Sequence, residues 1–148
     1  MGMKDIRERI IGVDTMVFIY HFEDHPDYSH VTEKIFEAVE SGKYNAVTSV
    51  ITLIEILVKP KRDGNHVAVK DYRDLLLTFP NFKIFDLDMK ISDIASDLRA
   101  KYGIKTPDAI QIATTMHAGS KSFITNDDSL KKVEEVKVFL LDDLVKTL

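Results

Sequence analysis

Four carboxylates in this 148-residue sequence stand where an acid is costly or conspicuous. Asp14 follows the apolar run Ile10-Ile11-Gly12-Val13 and precedes Met16-Val17-Phe18-Ile19, so it is wedged between two segments expected to be buried. Glu55 interrupts Val50-Ile51-Thr52-Leu53-Ile54 and Ile56-Leu57-Val58, which read as a helix apolar nearly all round. A carboxylate there is expensive to desolvate unless it is paired or holds a cation. Thr48, Thr52, Glu55 and Lys59 fall at i, i+4, i+7 and i+11, one narrow polar stripe. Asp108 lies in the first turn of a helix opened by Thr106-Pro107, and Asp127 follows the short run Ser122 to Thr125.

Each acid has an ordinary explanation taken alone. Asp14 can cap a helix, Glu55 can pair with Lys59 at i, i+4, and Asp108 suits the positive end of a helix dipole. Asp128, beside Asp127, can cap the short helix after it. Taken together they say more. Four converging carboxylates repel one another, and some take up protons unless cations neutralise them. Such hard oxygen ligands suit Mg²⁺ or Mn²⁺ rather than zinc. One or two ions of that kind activate water and stabilise an in-line displacement at phosphorus.

Convergence requires elements that deliver all four acids to one edge. Ile10 to Val13, Tyr44 to Val47, Phe82 to Phe85, Ser122 to Thr125 and Val136 to Leu140 read as short buried strands. Helical patterns lie between them. Tyr28, Val31, Ile35, Ala38 and Val39 share one face, ending at Gly42. Ser49 to Val58 is expected to stop before Pro60, and 61–66 reads as a polar turn before a helix reaching about Thr78. Asp88 can cap a helix whose Ile91, Ile94, Ala95, Leu98 and Tyr102 form a stripe closed by Gly103. Thr106 reads as an N-cap with Pro107 at the first helical position, in a helix running to Gly119. Ser129 to Glu134 reads as a short helix. Strands alternating with helices predict a three-layer α/β sandwich with a five-stranded, mainly parallel sheet. Sites in such folds lie beyond the carboxyl ends of the strands. Asp14 and Asp127 are predicted at such ends, Asp108 in a helix's opening turn and Glu55 about two turns into its helix.

Length and composition set the bounds. The length fits one domain spanning 1–148, with residues 1–9 as an N-terminal extension. There is no cysteine, which excludes disulfides, thiolate zinc sites, iron–sulfur clusters and cysteine nucleophiles. No apolar run is long enough for a membrane span, and no leader pattern opens the chain, so a soluble cytoplasmic protein is expected. Twenty Lys and Arg against 24 Asp and Glu give a net charge of −4, a poor match to bulk coating of nucleic acid. The sequence contains neither GxGxxG nor a Walker loop, which removes the usual nucleotide cradles, and there is no GxSxG elbow.

Val13-Asp14-Thr15 with Ile19-Tyr20, Thr48-Ser49 and Thr52 leading to Glu55, Lys105-Thr106-Pro107-Asp108-Ala109-Ile110, and Phe123-Ile124-Thr125-Asn126-Asp127 are the segments that place the chain. In order, spacing and context they resemble a PIN domain, most nearly the small VapC-like toxin nucleases of toxin–antitoxin pairs, over about Ile11 to Leu141. The resemblance implies a five-stranded parallel sheet between helices and an Mg²⁺- or Mn²⁺-dependent endoribonuclease. It implies an acidic metal site of Asp14, Glu55, Asp108 and Asp127, with Thr125 as the hydroxyl residue of the strand-end motif and Asn126 as its polar neighbour. It further implies a homodimer, an RNA substrate and an antitoxin protein that blocks the acidic groove; on the charges, a metal-bound hydroxide attacking the phosphodiester would leave a 5′-phosphate and a 3′-hydroxyl.

Other signals carry less. His21 and His25 are spaced i, i+4 with His30 nearby, but Pro26 and the lack of cysteine favour a polar loop over a zinc site. His117 near a helix end suits the dipole or solvent. Lys59, Lys61, Arg62, Lys131 and Lys132 could steer a phosphate backbone, although charge runs are usually solvated faces. The main alternative is a non-catalytic PIN-like scaffold binding RNA or protein, which has no reason to tolerate four converging charges. An aspartyl-phosphate acceptor using Asp14 would want a second acid beside it, and Thr15-Met16 supplies none.

Overall fold

The structure is a computed structural model and describes residues 2–147. In chain order its elements are β1 (Ile10–Val13), α1 (Thr15–Phe22), α2 (Ser29–Glu40), β2 (Asn45–Ser49), α3 (Val50–Arg62), α4 (His66–Thr78), β3 (Phe82–Phe85), α5 (Met89–Tyr102), α6 (Thr106–His117), β4 (Ser122–Thr125), β5 (Lys137–Leu140) and α7 (Leu141–Lys146). The five strands form one sheet in the order β3-β2-β1-β4-β5, and every neighbouring pair is parallel. β1 leads to β2 on one side, whereas the chain returning from β3 enters β4 on the other. The strand order therefore reverses at β1 and β4, and in sheets of this kind sites lie beyond the carboxyl ends of the strands at that point.

Each face of the sheet has its own apolar core. Ile11, Val13, Ile124 and Phe139 pack under α1, α2 and α7 through Phe18, Val31, Ile35 and Leu144. On the opposite face Phe123 and Val138 meet α5 and α6 through Leu98, Ala109 and Ile112, with Ile104 from the connection between the two helices. The strands are covered on both sides, so they read as nearly continuous apolar runs. Gly12 sets how closely α6 lies on β1. A Cβ there would come within 1.8 Å of Thr115 Oγ1, so only glycine admits this approach.

The structure moves several boundaries. The second strand is Asn45–Ser49 rather than Tyr44 to Val47, and the fifth begins at Lys137. α3 runs through Pro60 to Arg62. Proline deletes one intrahelical hydrogen bond, but in the last turn little helix remains to be broken. Lys105 rather than Thr106 is the N-cap of α6, without a side-chain bond, and the helix ends at His117. The segment after Asp127 is a 3-10 turn over Asp128–Lys132, and α7 carries Leu141 and Leu144 into the core although no helix is expected there. Asp88 caps α5 by accepting from the Ile91 N–H at 2.9 Å, and Gly103 ends that helix with φ +67°. The segment before β1 packs against the rest of the domain. Ile6 is buried, Tyr44 donates to the carbonyls of Met3 and Ile6, and Glu8 accepts from the Lys121 N–H and the Ser122 hydroxyl. Among the described residues no helix is long and apolar enough to cross a membrane.

Candidate active site

Asp14 stands at the carboxyl end of β1, where the strand order reverses. Its N–H bonds the Ile124 carbonyl at 2.9 Å, extending the β1–β4 pairing by one residue, and it then becomes the N-cap of α1. One carboxylate oxygen accepts from the Thr15 N–H at 2.8 Å and the other from the Thr125 hydroxyl at 2.7 Å. The side chain is only 5% exposed. Burial pushes its pKa from 3.8 up to about 6, the two hydrogen bonds oppose that rise, and the charges of Asp108 and Glu55 add to it. Each oxygen accepts one bond from the protein and keeps a lone pair free.

Thr125 joins two acids. Its hydroxyl donates to Asp14 and accepts from the Asp127 N–H at 3.2 Å. Asp127 caps the 3-10 turn, accepting from the Ser129 N–H at 3.0 Å and hydroxyl at 2.6 Å. Asn126 points the other way, accepting from the Asp142 N–H at 3.2 Å. Asp108 sits in the first turn of α6. Its pKa is raised, first by burial and then by Asp127 and Glu55, against a lowering by Lys105. The four acids are thus linked electrostatically through Asp14 and Asp108.

Glu55 arrives differently from expected. α3 is not apolar all round in its surroundings: Ile54 is 62% and Val58 45% exposed, and Glu55 itself faces solvent. The burial argument for its carboxylate therefore fails. Lys59 is not its partner either, pairing with Glu23 at 3.3 Å. What holds Glu55 is the Thr15 hydroxyl, donating to Oε1 at 2.9 Å. Beside it a groove of about 510 Å³ runs between α1, α3 and α4, lined by Ile19, Phe22, Lys59, Pro60 and Tyr72.

Among the described residues, no three His, Asp or Glu side chains form a ready-made coordination cluster. Each of these acids is instead held by protein donors: Asp14 by the Thr15 N–H and Thr125 hydroxyl, Glu55 by the Thr15 hydroxyl, and Asp127 by Ser129. The donor set still fits a hard divalent cation, being made of carboxylate oxygens around one buried acid whose charge the fold disfavours.

The profile of the PIN domain family matches residues 11–136. The chain belongs to that family. Solved structures share the fold at low identity. VapBC2 from Rickettsia felis bound to a promoter DNA fragment is 17% identical at a TM-score of 0.71, with 88% of this chain and 98% of that one covered. A toxin–antitoxin complex from Klebsiella pneumoniae is 23% identical at 0.65, covering 87% and 95%. FitAcB from Neisseria gonorrhoeae is 19% identical at 0.65, covering 88% and 96%. No curated protein sequence gives a significant match.

One residue of this PIN domain's site escapes the motif reading. Gln111, 2% exposed on α6, bonds Thr15, Thr52 and the Ser49 N–H beneath the acids. Its signal was a large polar side chain within Ala109-Ile110-Gln111-Ile112-Ala113, three residues past Asp108 and therefore on the same helical face. The histidines lie apart. His21 Nδ1 is 3.3 Å from the Thr32 hydroxyl, His25 packs with Tyr20 and Tyr28, and His117 packs edge-on to Phe85. Of the basic residues, Lys131 pairs with Asp143 at 3.6 Å, while Lys61, Arg62 and Lys132 are exposed.

Proposed function

We propose that the chain is one PIN nuclease domain that hydrolyses RNA internally with Mg²⁺ or Mn²⁺, as the toxin of a toxin–antitoxin pair. The observation that carries this reading is the buried Asp14 carboxylate, electrostatically coupled to Asp108 and Glu55 at the point where the strand order reverses. Asp14 and Asp108 would hold the ion directly, with Asp127 completing its surroundings and Glu55 holding a second ion or orienting water. The cation supplies a polarised water and neutralises charge building on the phosphate oxygens. Thr125 orients Asp14 and ties it to the Asp127 segment. The groove beside Glu55 gives a bound chain a path toward the acids.

An antitoxin partner is supported by the structure from Klebsiella pneumoniae that shares this fold, which is itself a toxin–antitoxin complex. Homodimer formation is consistent with apolar side chains left exposed on α3 and α4, including Ile54, Val58, Val67 and Leu77. The test is cleavage of a mixed RNA pool with Mg²⁺, Mn²⁺ or EDTA. Metal-dependent internal cleavage leaving 5′-phosphate ends, lost in Asp14→Asn, is expected. Cleavage that persists in EDTA or in Asp14→Asn contradicts the reading.

A further inference from the structure

Glu55 is the one candidate ligand on an exposed helix face, and a long exposed side chain has many rotamers to choose among. Its fixation traces back to the buried amide of Gln111. The amide's orientation follows from what surrounds it. The Ser49 backbone N–H can only donate, and it lies 3.1 Å from Gln111 Oε1. Nε2 therefore faces Thr15 and Thr52, at 3.1 and 2.8 Å, and gives one hydrogen to each hydroxyl oxygen.

Each threonine has a single proton to pass on. Thr15, accepting from Gln111, directs its proton to Glu55 Oε1 at 2.9 Å. Thr52, accepting from the same amide, donates to Thr48 at 2.6 Å, and Thr48 donates to the Val13 carbonyl at 2.9 Å. The amide's two protons run outward from Nε2, while its Oε1 accepts from the Ser49 N–H and lies 3.2 Å from the Thr48 hydroxyl as a second acceptor for the Thr48 proton. One branch ends on the Glu55 carboxylate and the other on the residue preceding Asp14. Without the amide, the hydroxyls of Thr15 and Thr52, 3.1 Å apart, are free to bond each other and release Glu55.

We infer that Gln111 is a positioning residue: by donating to the Thr15 oxygen it favours turning the Thr15 proton to Glu55, and so holds the Glu55 carboxylate beside Asp14 and Asp108 for cation binding. This rests on the divalent-metal reading above and adds to it a residue that touches neither metal nor substrate. Buried partners that orient metal ligands typically change metal affinity by 10–100-fold when removed.

The experiment is a Mn²⁺ titration followed by electron paramagnetic resonance, with folding checked by circular dichroism. It uses the native chain, Asp14→Asn, Thr15→Ser, Thr15→Val, Gln111→Leu and the double variant Thr15→Val/Gln111→Leu. Where Gln111→Leu does not fold, Gln111→Met replaces it, keeping the length of the side chain without its donors. Thr15→Ser keeps the hydroxyl and is expected to retain affinity. Thr15→Val and the Gln111 variant are each expected to weaken Mn²⁺ binding about 10-fold, and the double variant no more than either, because both cut the same chain of bonds. Unchanged affinity in a folded Gln111 variant, with only thermal stability lowered, overturns the inference, as do losses that multiply in the double variant. Asp14→Asn separates the two levels. Native affinity in Asp14→Asn sinks the metal reading itself, whereas lost affinity there with no effect at Gln111 sinks only the positioning role.

Discussion

Replacing Asp14 with asparagine removes a charge that the fold holds at a cost. The carboxyl has a pKa of about 6 against an ordinary 3.8, mainly because it is buried. The folded state therefore binds this proton more tightly than the unfolded state. The resulting contribution to stability is fully present below pH 3.8 and is lost as the pH rises through about 6. At ~1.36 kcal/mol per pH unit, the gap corresponds to about 3 kcal/mol. Asparagine is isosteric and uncharged. Its carbonyl can still accept from the Thr15 N–H, and its amide can donate to the Thr125 oxygen. Metal-free Asp14→Asn should exceed the native chain in stability by up to about 3 kcal/mol at pH 8, which is roughly 6–12 °C in Tm for a domain of this size. Near pH 4 the two should nearly coincide. Urea unfolding in EDTA across pH 4–8 measures the difference, in which the other titrating groups largely cancel. A variant no more stable than the native chain at pH 8, or an advantage that does not shrink toward pH 4, refutes the burial argument.

Other expectations concern the scaffold around the acids. Gly12→Ala should destabilise by about 3 kcal/mol in urea unfolding, because the new Cβ collides with Thr115 and α6 must lift from β1. Asp88→Ala should cost about 1 kcal/mol by removing the cap on the Ile91 N–H, and Asp88→Asn much less. Thr125→Val removes the hydroxyl that favours the charged form of Asp14, so the pH above which Mn²⁺ raises Tm should move upward relative to the native chain. An unchanged pH threshold would show that the Thr125 bond does not tune Asp14.

Much of this arrangement was legible in the residues. Short apolar runs separated by 3.6-period stripes specify buried strands and covering helices, and the five parallel strands follow. Asp14 could be placed at a strand end because it directly follows an apolar run, and Asp127 because it stands two residues past the run ending at Thr125. Glu55 was placed for a reason that fails. Its apolar neighbours Ile54 and Val58 read as core but face solvent, since hydrophobicity along a helix does not reveal which stripe another element covers. α7 was missed because Leu141 to Lys146 is short and starts directly after β5, where periodicity has no room to show. Gln111 was missed because a chain of hydroxyls spanning three elements is a tertiary fact. Only the folded backbone brings Thr15, Thr48, Thr52 and Gln111 together.

The central claim is that Asp14 and Asp108 share a divalent cation beyond the carboxyl ends of β1 and β4. Anomalous difference density from a Mn²⁺-soaked crystal tests it most directly. The account predicts a peak in direct ligating contact with Asp14 and Asp108, absent from Asp14→Asn crystals soaked in the same way. A native crystal with no peak there, its Asp14 carboxylate still engaged only by Thr15 and Thr125, would contradict it.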